Sequence, residues 1–208
     1  MKLEHLGDAL DFWKGGMIGC LQGSLSDIHV LPMFTDRDVP GTWIAARLEL
    51  YAKLVGVNVR NILRHQTPFS PGTRRTYFTD LKISSDIDLF VDPDTGIQPN
   101  GKGCKEHIGL AELGLLLPEG CSRLLLVYQH SSRDKNWCEN CIQRVLKCDH
   151  MKGSQVFAYV AGNVAMLFVS RNYHRLDVVH GLLREFTSPL LPDMARVTRI
   201  SPPSKGQM

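Results

Sequence analysis

The 208 residues predict an α/β fold whose sheet is mostly parallel and closes in an antiparallel hairpin, and three stretches carry that expectation. Asp86 to Ile97, DIDLFVDPDTGI, holds the apolar run Ile87, Leu89, Phe90 and Val91, which is too short for a helix and is stopped by Pro93 and Gly96. A strand buried on both faces reads in this way. Cys121 to Gln129, with its run RLLLVYQ, repeats the pattern after one short helix, the connection that a right-handed crossover between parallel neighbours needs. Gln155 to Ser170 supplies two apolar runs joined by Gly162-Asn163, which suits a two-residue hairpin turn. Counting the remaining segments gives about seven strands, mostly alternating with helices.

From Gly7 to Leu21, residues Leu10, Trp13, Met17, Cys20 and Leu21 recur at helical spacing, interrupted by Gly15, Gly16 and Gly19, with Asp8 as an early acid or cap. Asp8, Asp11 and Lys14 share another face. That face is either a solvated, self-paired stripe or a polar line toward the active crevice, since the glycines admit another backbone or a ligand. Asp27 to Phe34 reads as a strand that brings Asp36 and Asp38 to the crevice. Trp43, Ala46, Leu50, Leu54 and Val55 form a helix stopped at Gly56. Val57 to Leu63 and Thr76 to Leu81 are weaker strands flanking a turn-rich loop. Ile108 to Leu117 and Arg133 to Cys148 read as helices, and a last amphipathic helix uses Leu176, Val179, Leu182, Leu183 and Phe186. Residues 1–190 are expected to form one α/β domain and residues 191–208 a tail that is in part disordered.

Composition narrows the class without choosing a partner. With 43% apolar residues the chain can bury a sizeable core, and a net charge of +3 with pI near 8.5 is too mild to demonstrate nucleic-acid binding. No apolar run approaches the roughly 20 residues needed to cross a bilayer, and the first residues lack an export pattern, so a cytoplasmic protein without a membrane partner is expected. The sequence leaves the oligomeric state open. The six cysteines read as free thiols. Cys138, Cys141, Cys148 and His150 have zinc-ligand chemistry, but a continuous helix would disperse them around its axis, and no shared metal is expected there.

Candidate site residues gather at the ends of the two buried strands. Asp92 and Asp94 end the first, and ligand crevices in open α/β sheets lie outside such carboxyl ends. An ordinary turn built by Asp, Pro and Gly is the plainer account of the same residues. Tyr128, Gln129 and His130 end the second strand, where His130 suits proton transfer, substrate contact or a metal, and its polar terminus is expected beside DPDTG. Between Arg60 and Arg75 every charge is positive, with Arg64, Arg74, Arg75 and His65, so that this loop either holds a phosphate backbone or is basic for solubility. Gln98 to Lys105 is a glycine-rich loop suited to a lid.

This order of elements resembles the class I S-adenosylmethionine-dependent methyltransferases, whose fold is a three-layer Rossmann-like sandwich. The opening GDALDFWK is similar to the start of the bacterial ribosomal-RNA adenine methyltransferases. Asp92-Pro93-Asp94 falls where amino-methylating members carry Asp-Pro-Pro-aromatic. The DPDTG and YQH strand ends also resemble a group of uncharacterised bacterial and phage proteins. The resemblance implies S-adenosylmethionine as cofactor, held with the help of Asp8, Lys14 and Asp36, with Asp92 accepting a hydrogen bond from the target amine and Pro93 shaping the pocket; the strand-end positions of His130 and Asp94 add them as catalytic candidates. It also implies nucleic-acid or nucleotide substrate contacts by Arg74, Arg75 and Tyr128. Two departures stand against it. FTDRDVPG replaces the glycine-rich loop after the first strand, and Asp94-Thr95 replaces Pro-aromatic.

Three functions are therefore expected, in this order. The first is a methyltransferase-like protein acting on nucleic acid or a nucleotide-like substrate. The second is a metal-dependent nuclease or phosphohydrolase, in which Asp36, Asp92, Asp94 and His130 converge on a divalent ion. The third is a non-catalytic binding module of phage or defence origin, in which the acids only order turns.

Overall fold

The computed structural model describes residues 6–25, 27–35, 41–63, 69, 72–98, 104–187 and 195–200, with backbone alone for 41–44, 187 and 195–200. Chain order is α1 (Ala9–Leu21), β1 (Ile28–Pro32), α2 (Gly41–Val55), α3 (Arg74–Thr79), β2 (Asp88–Asp92), β3 (Gly96–Ile97) and β4 (His107–Ile108). It continues with α4 (Leu110–Leu116), β5 (Leu124–His130), α5 (Trp137–Lys147), β6 (Gln155–Ala161), β7 (Val164–Ser170), α6 (Tyr173–Thr187) and β8 (Ala195–Ile200). The main sheet has the order β1-β2-β5-β7-β6-β8, and β3 pairs with β4 in a small sheet of its own.

Strand β2 lies parallel to β1 on one side and to β5 on the other, with Leu89, Phe90 and Val91 opposite Leu125, Leu126 and Val127. The two apolar runs singled out in the sequence are thus parallel neighbours. Gly162-Asn163 turns the β6–β7 hairpin, with Gly162 at φ +59°, and the hairpin docks on β5 through β7, antiparallel. Strand β8 then pairs antiparallel with β6.

The described sheet corrects the expected count and parallel character. It has six strands, two weak strand expectations not being strands, and it is mixed because β5–β7, β6–β7 and β6–β8 pair antiparallel while only β1–β2 and β2–β5 are parallel. Val59–Asn61 is a 3-10 turn followed by a single bridge from Ile62 to Val30. Residues 74–79 are helical, and Tyr77 and Phe78 are both buried there against Phe69. A strand would have sent those neighbours to opposite faces. A sixth strand comes from residues 195–200, which had been expected within the tail.

Apolar residues split into two clusters, one on each face of the sheet. Leu124, Leu126 and Tyr128 of β5 join residues of α1, α2 and α6, whereas Leu125 and Val127 join residues of α3, α4 and α5. The period of two along a strand produces this division, and burial on both faces explains why β5 reads as a continuous apolar run. Helix α2 buries Leu48, Tyr51, Ala52 and Val55, while Leu50 is exposed. Of the expected stripe Trp43, Ala46, Leu50, Leu54 and Val55, Val55 lies on the buried face, whereas Ala46 and Leu50 are exposed and the spacing passes over Tyr51. Among the described residues no helix is long and apolar enough to cross a membrane.

Candidate active site

Helix α1 begins at Asp8, whose carboxylate caps it by accepting from the N–H groups of Leu10 and Asp11 at 2.8 and 3.2 Å. Its next two charged residues do not face water. Asp11 and Lys14 are 2% and 4% exposed, on the same face as Met17, Ile18 and Leu21, so the polar line points inward and the solvated-stripe reading is overturned. Gly15 makes this possible. A Cβ there would lie inside contact distance of the Leu54 carbonyl, so only glycine lets α1 approach α2 so closely.

The close crossing brings Lys14 and Tyr51 to one carboxylate. Asp92, wholly buried at the end of β2, has Lys14 Nζ 3.0 Å from Oδ1 and 3.1 Å from Oδ2, and Tyr51 donates its hydroxyl to Oδ2 at 2.6 Å. Lys14 also donates to Asp11 Oδ1 at 3.0 Å, and Asp11 Oδ2 accepts from the Gly7 N–H. Burial opposes the ammonium charge, but the Asp92 and Asp11 carboxylates outweigh it and hold Lys14 above the ordinary lysine range. Burial, followed by the Asp92 charge, pushes the Tyr51 phenol far up. Asp92 Oδ1 receives no directed hydrogen bond despite its ion pair, and the buried hydroxyls of Thr35 and Tyr128 have no partner either.

Tyr128 is next in register beyond the Val91–Val127 pair and therefore stands beside Asp92. Its ring lies under Lys14 Nζ at 4.5 Å from the centroid and contacts Trp13 and His130 edge-on, at 6.3 and 5.3 Å. Burial, reinforced by Asp92, raises the Tyr128 phenol. His130 lies two residues farther along the same strand, hence on the same face. Burial and then the Lys14 charge lower its imidazole, against opposition from Asp94 and Asp8.

On the opposite face Gln129 fixes the DPDTG turn. It accepts from the Ile97 N–H at 2.7 Å and donates to the carbonyls of His130 and Thr95, while His130 N–H donates to Thr95 O at 2.9 Å. Gly96 sits at φ +119° with the Gln129 amide packed where a Cβ would be, so the turn requires glycine for both reasons. The polar terminus of β5 therefore adjoins DPDTG as expected. The turn account of this stretch captures Gly96 but not Asp92, whose partners come from α1 and α2.

The other anticipated residues separate from this centre. Arg74 pairs with Glu112 and donates to the carbonyls of Cys104 and His107, so its guanidinium serves as an internal clamp. Arg75 is exposed. Asp94 is half-buried, and Asp92, Asp94 and His130 form no metal-sized ligand group among the described residues. Asp36, Asp38, Arg64 and His65 lie outside the described residues. Sequence reasoning missed Tyr51 and placed Gln129 at the polar strand end without a role of its own. The spacing of Leu48, Tyr51, Ala52 and Val55 held a signal for Tyr51, whereas the Gln129 latch depends on a contact between separate strands.

No family model matches the sequence, and no curated protein matches it. Among solved structures it has a likeness to protein LPL1258 from Legionella pneumophila str. Philadelphia 1, described by the family model DUF519. The TM-score is 0.33 and the identity 13%, over 96% of this chain and 98% of that one, a likeness too slight to assign a fold or a function.

Proposed function

We propose that this chain is a methyltransferase-like protein that acts on nucleic acid or a nucleotide-like substrate, with Asp92 accepting a hydrogen bond from the target amine. One observation carries the reading: Asp92 Oδ1 is a buried carboxylate oxygen at the end of a central strand, ion-paired with Lys14 at 3.0 Å but receiving no directed hydrogen bond. The ammonium balances the charge of that oxygen without supplying an aligned donor, which a buried acceptor is expected to find. Tyr51 donates to Oδ2 and Lys14 spans both oxygens, which fixes the orientation of the carboxylate at the strand end.

The residues present are compatible with an adenosyl ligand. The Tyr128 hydroxyl on β5, beside Asp92, and the Thr35 hydroxyl, beyond the end of β1 where Pro32 pairs with Asp92, are buried without partners, and polar atoms of a bound nucleoside would satisfy them. S-adenosylmethionine, when bound, supplies an electrophilic methyl group. In this reading Asp92 aligns the amine, Lys14 keeps the carboxylate charge tolerable in the interior, and His130, biased toward its neutral form, takes up the amine proton. The metal-dependent hydrolase reading is less well supported, because of its four residues the three that are described, Asp92, Asp94 and His130, do not form a ligand group.

The test is a thermal-shift titration of the whole chain with S-adenosylmethionine, its demethylated product, magnesium and manganese, paired with transfer of a labelled methyl group to bulk RNA and DNA. A ligand of the native state raises the apparent stability by mass action. The reading expects stabilisation by the two adenosyl ligands and labelling of nucleic acid. Stabilisation by the metals alone would replace it with the hydrolase.

A further inference from the structure

The β3–β4 arm carries a second group of reactive side chains, separate from Asp92. Residues Cys104, Lys105, Glu106 and His107 form a tight turn closed by the His107 N–H on the Cys104 carbonyl at 3.2 Å. One ligand atom each from Cys104, Glu106 and His107 lies within 4.8 Å of the others, and Cys104 Sγ and His107 Nδ1 are 2.7 Å apart. Among the described residues this is the one such group of three. We propose that this convergence of Cys104, Glu106 and His107 on one turn is a binding site for a zinc-class divalent cation, independent of the function proposed above.

The donor set selects the ion. Thiolate, imidazole and carboxylate together suit zinc, whereas calcium and magnesium take oxygen ligands. Zinc bonds of about 2.0–2.3 Å set tetrahedral ligands roughly 3.3–3.8 Å apart, a spacing that small side-chain rotations reach from the observed cluster. Three protein ligands leave a fourth position, which water fills at an exposed turn. On binding, the Cys104 thiol forms a bond to the metal and loses its proton to solvent, Glu106 gives a carboxylate oxygen, and His107 binds as neutral imidazole through Nδ1.

The turn is also held in place without the ion. Arg74 donates to the Cys104 and His107 carbonyls, each at 2.9 Å, and is itself held by Glu112, which accepts from the Gly109 N–H at 2.7 Å. Thr95 N–H donates to the Glu106 carbonyl at 2.9 Å, and His107 and Ile108 pair with Gly96 and Ile97. Four separate attachments thus fix the backbone from which all three ligands project, and such outer support is what a metal site requires.

Cobalt(II), a spectroscopic substitute for zinc, tests the proposal on the full chain, with elemental analysis after zinc dialysis. One equivalent of metal per chain and a thiolate-to-cobalt charge-transfer absorption are expected in the parent. Cys104→Ser should abolish the absorption, and Glu106→Gln and His107→Ala should each weaken binding about tenfold or more. Cys148→Ser should change neither. Because Cys104 is exposed, its variant should melt like the metal-free parent, which separates loss of a ligand from loss of the fold. Absence of stoichiometric metal in the parent, or an absorption that survives Cys104→Ser, would overturn the site.

Discussion

The two ends of β2 carry an aspartate each, both wholly buried, and they are built differently. Asp88 at the start accepts the Leu124 N–H on Oδ1 at 2.8 Å and the Arg175 guanidinium on Oδ2, so both oxygens hold directed bonds that tie β2 to β5 and α6. Asp92 at the end has two donors on Oδ2 and no directed hydrogen bond on Oδ1, although Lys14 sits beside both. The same residue type, on the same strand, at the same burial, thus has both oxygens in directed hydrogen bonds at one end and one oxygen held by charge alone at the other. Depth alone therefore does not separate the two aspartates, whereas the completeness of their hydrogen bonding does.

The comparison breaks most severely at Lys14. Lys14→Met leaves Asp11 and Asp92 buried without their cation, and removal of one partner from a buried pair costs about 3–5 kcal/mol. Denaturant unfolding should show a loss of that size, whereas a loss under about 1 kcal/mol would mean that water already reaches the pair. Gly15→Ala forces α1 away from the Leu54 carbonyl and should cost about 1–3 kcal/mol by overpacking. It should also weaken adenosyl-ligand stabilisation, because the same crossing sets Lys14 and Tyr51 on Asp92.

Much of this arrangement was legible in the sequence, and the reasons differ from place to place. The continuous apolar runs of β2 and β5 announced two-sided burial, and the Gly162-Asn163 turn announced the hairpin, since local backbone chemistry decides both. The adjacency of Asp92 and Lys14 was legible only as an option, because three-residue spacing places Asp11 and Lys14 on one face without saying whether that face meets water or the sheet. Tyr51 stayed hidden because a tyrosine belongs equally well to an apolar stripe and to a polar one. Arg74 looked like a phosphate ligand in a basic loop, but its acidic partner Glu112 lies 38 residues away, beyond the reach of local pattern.

Smaller effects sharpen the contrast. Asp88→Asn removes the charge that Arg175 meets but keeps an acceptor for Leu124, and should cost about 1–3 kcal/mol of stability while leaving any ligand response intact. Titration separates two other groups. Lys14 is held above the ordinary lysine value, so its contribution is fully present below about pH 10.4 and is lost as the pH rises through the folded value. His130 is held below the ordinary histidine value, so its contribution is present above about pH 6.5 and is lost as the pH falls toward the lower folded value. Unfolding curves across pH should therefore lose part of their acid limb in His130→Gln and part of their alkaline limb in Lys14→Met. The smallest change in stability, within about 0.5 kcal/mol, is expected for Tyr128→Phe, since its hydroxyl has no partner to lose. Ligand stabilisation should nevertheless fall in that variant, and an unchanged response would remove Tyr128 from the site.

The most direct test of the contrast between the ends of β2 is the thermal shift produced by saturating S-adenosylmethionine in three proteins: the parent, Asp88→Asn and Asp92→Asn. Each variant serves as the other's control for the loss of a buried carboxylate charge. The account predicts that Asp88→Asn melts earlier than the parent but keeps the full ligand shift, and that Asp92→Asn folds and loses the shift. Equal shifts in both variants, or a shift lost only in Asp88→Asn, would contradict it and return Asp92 to the structure of the fold.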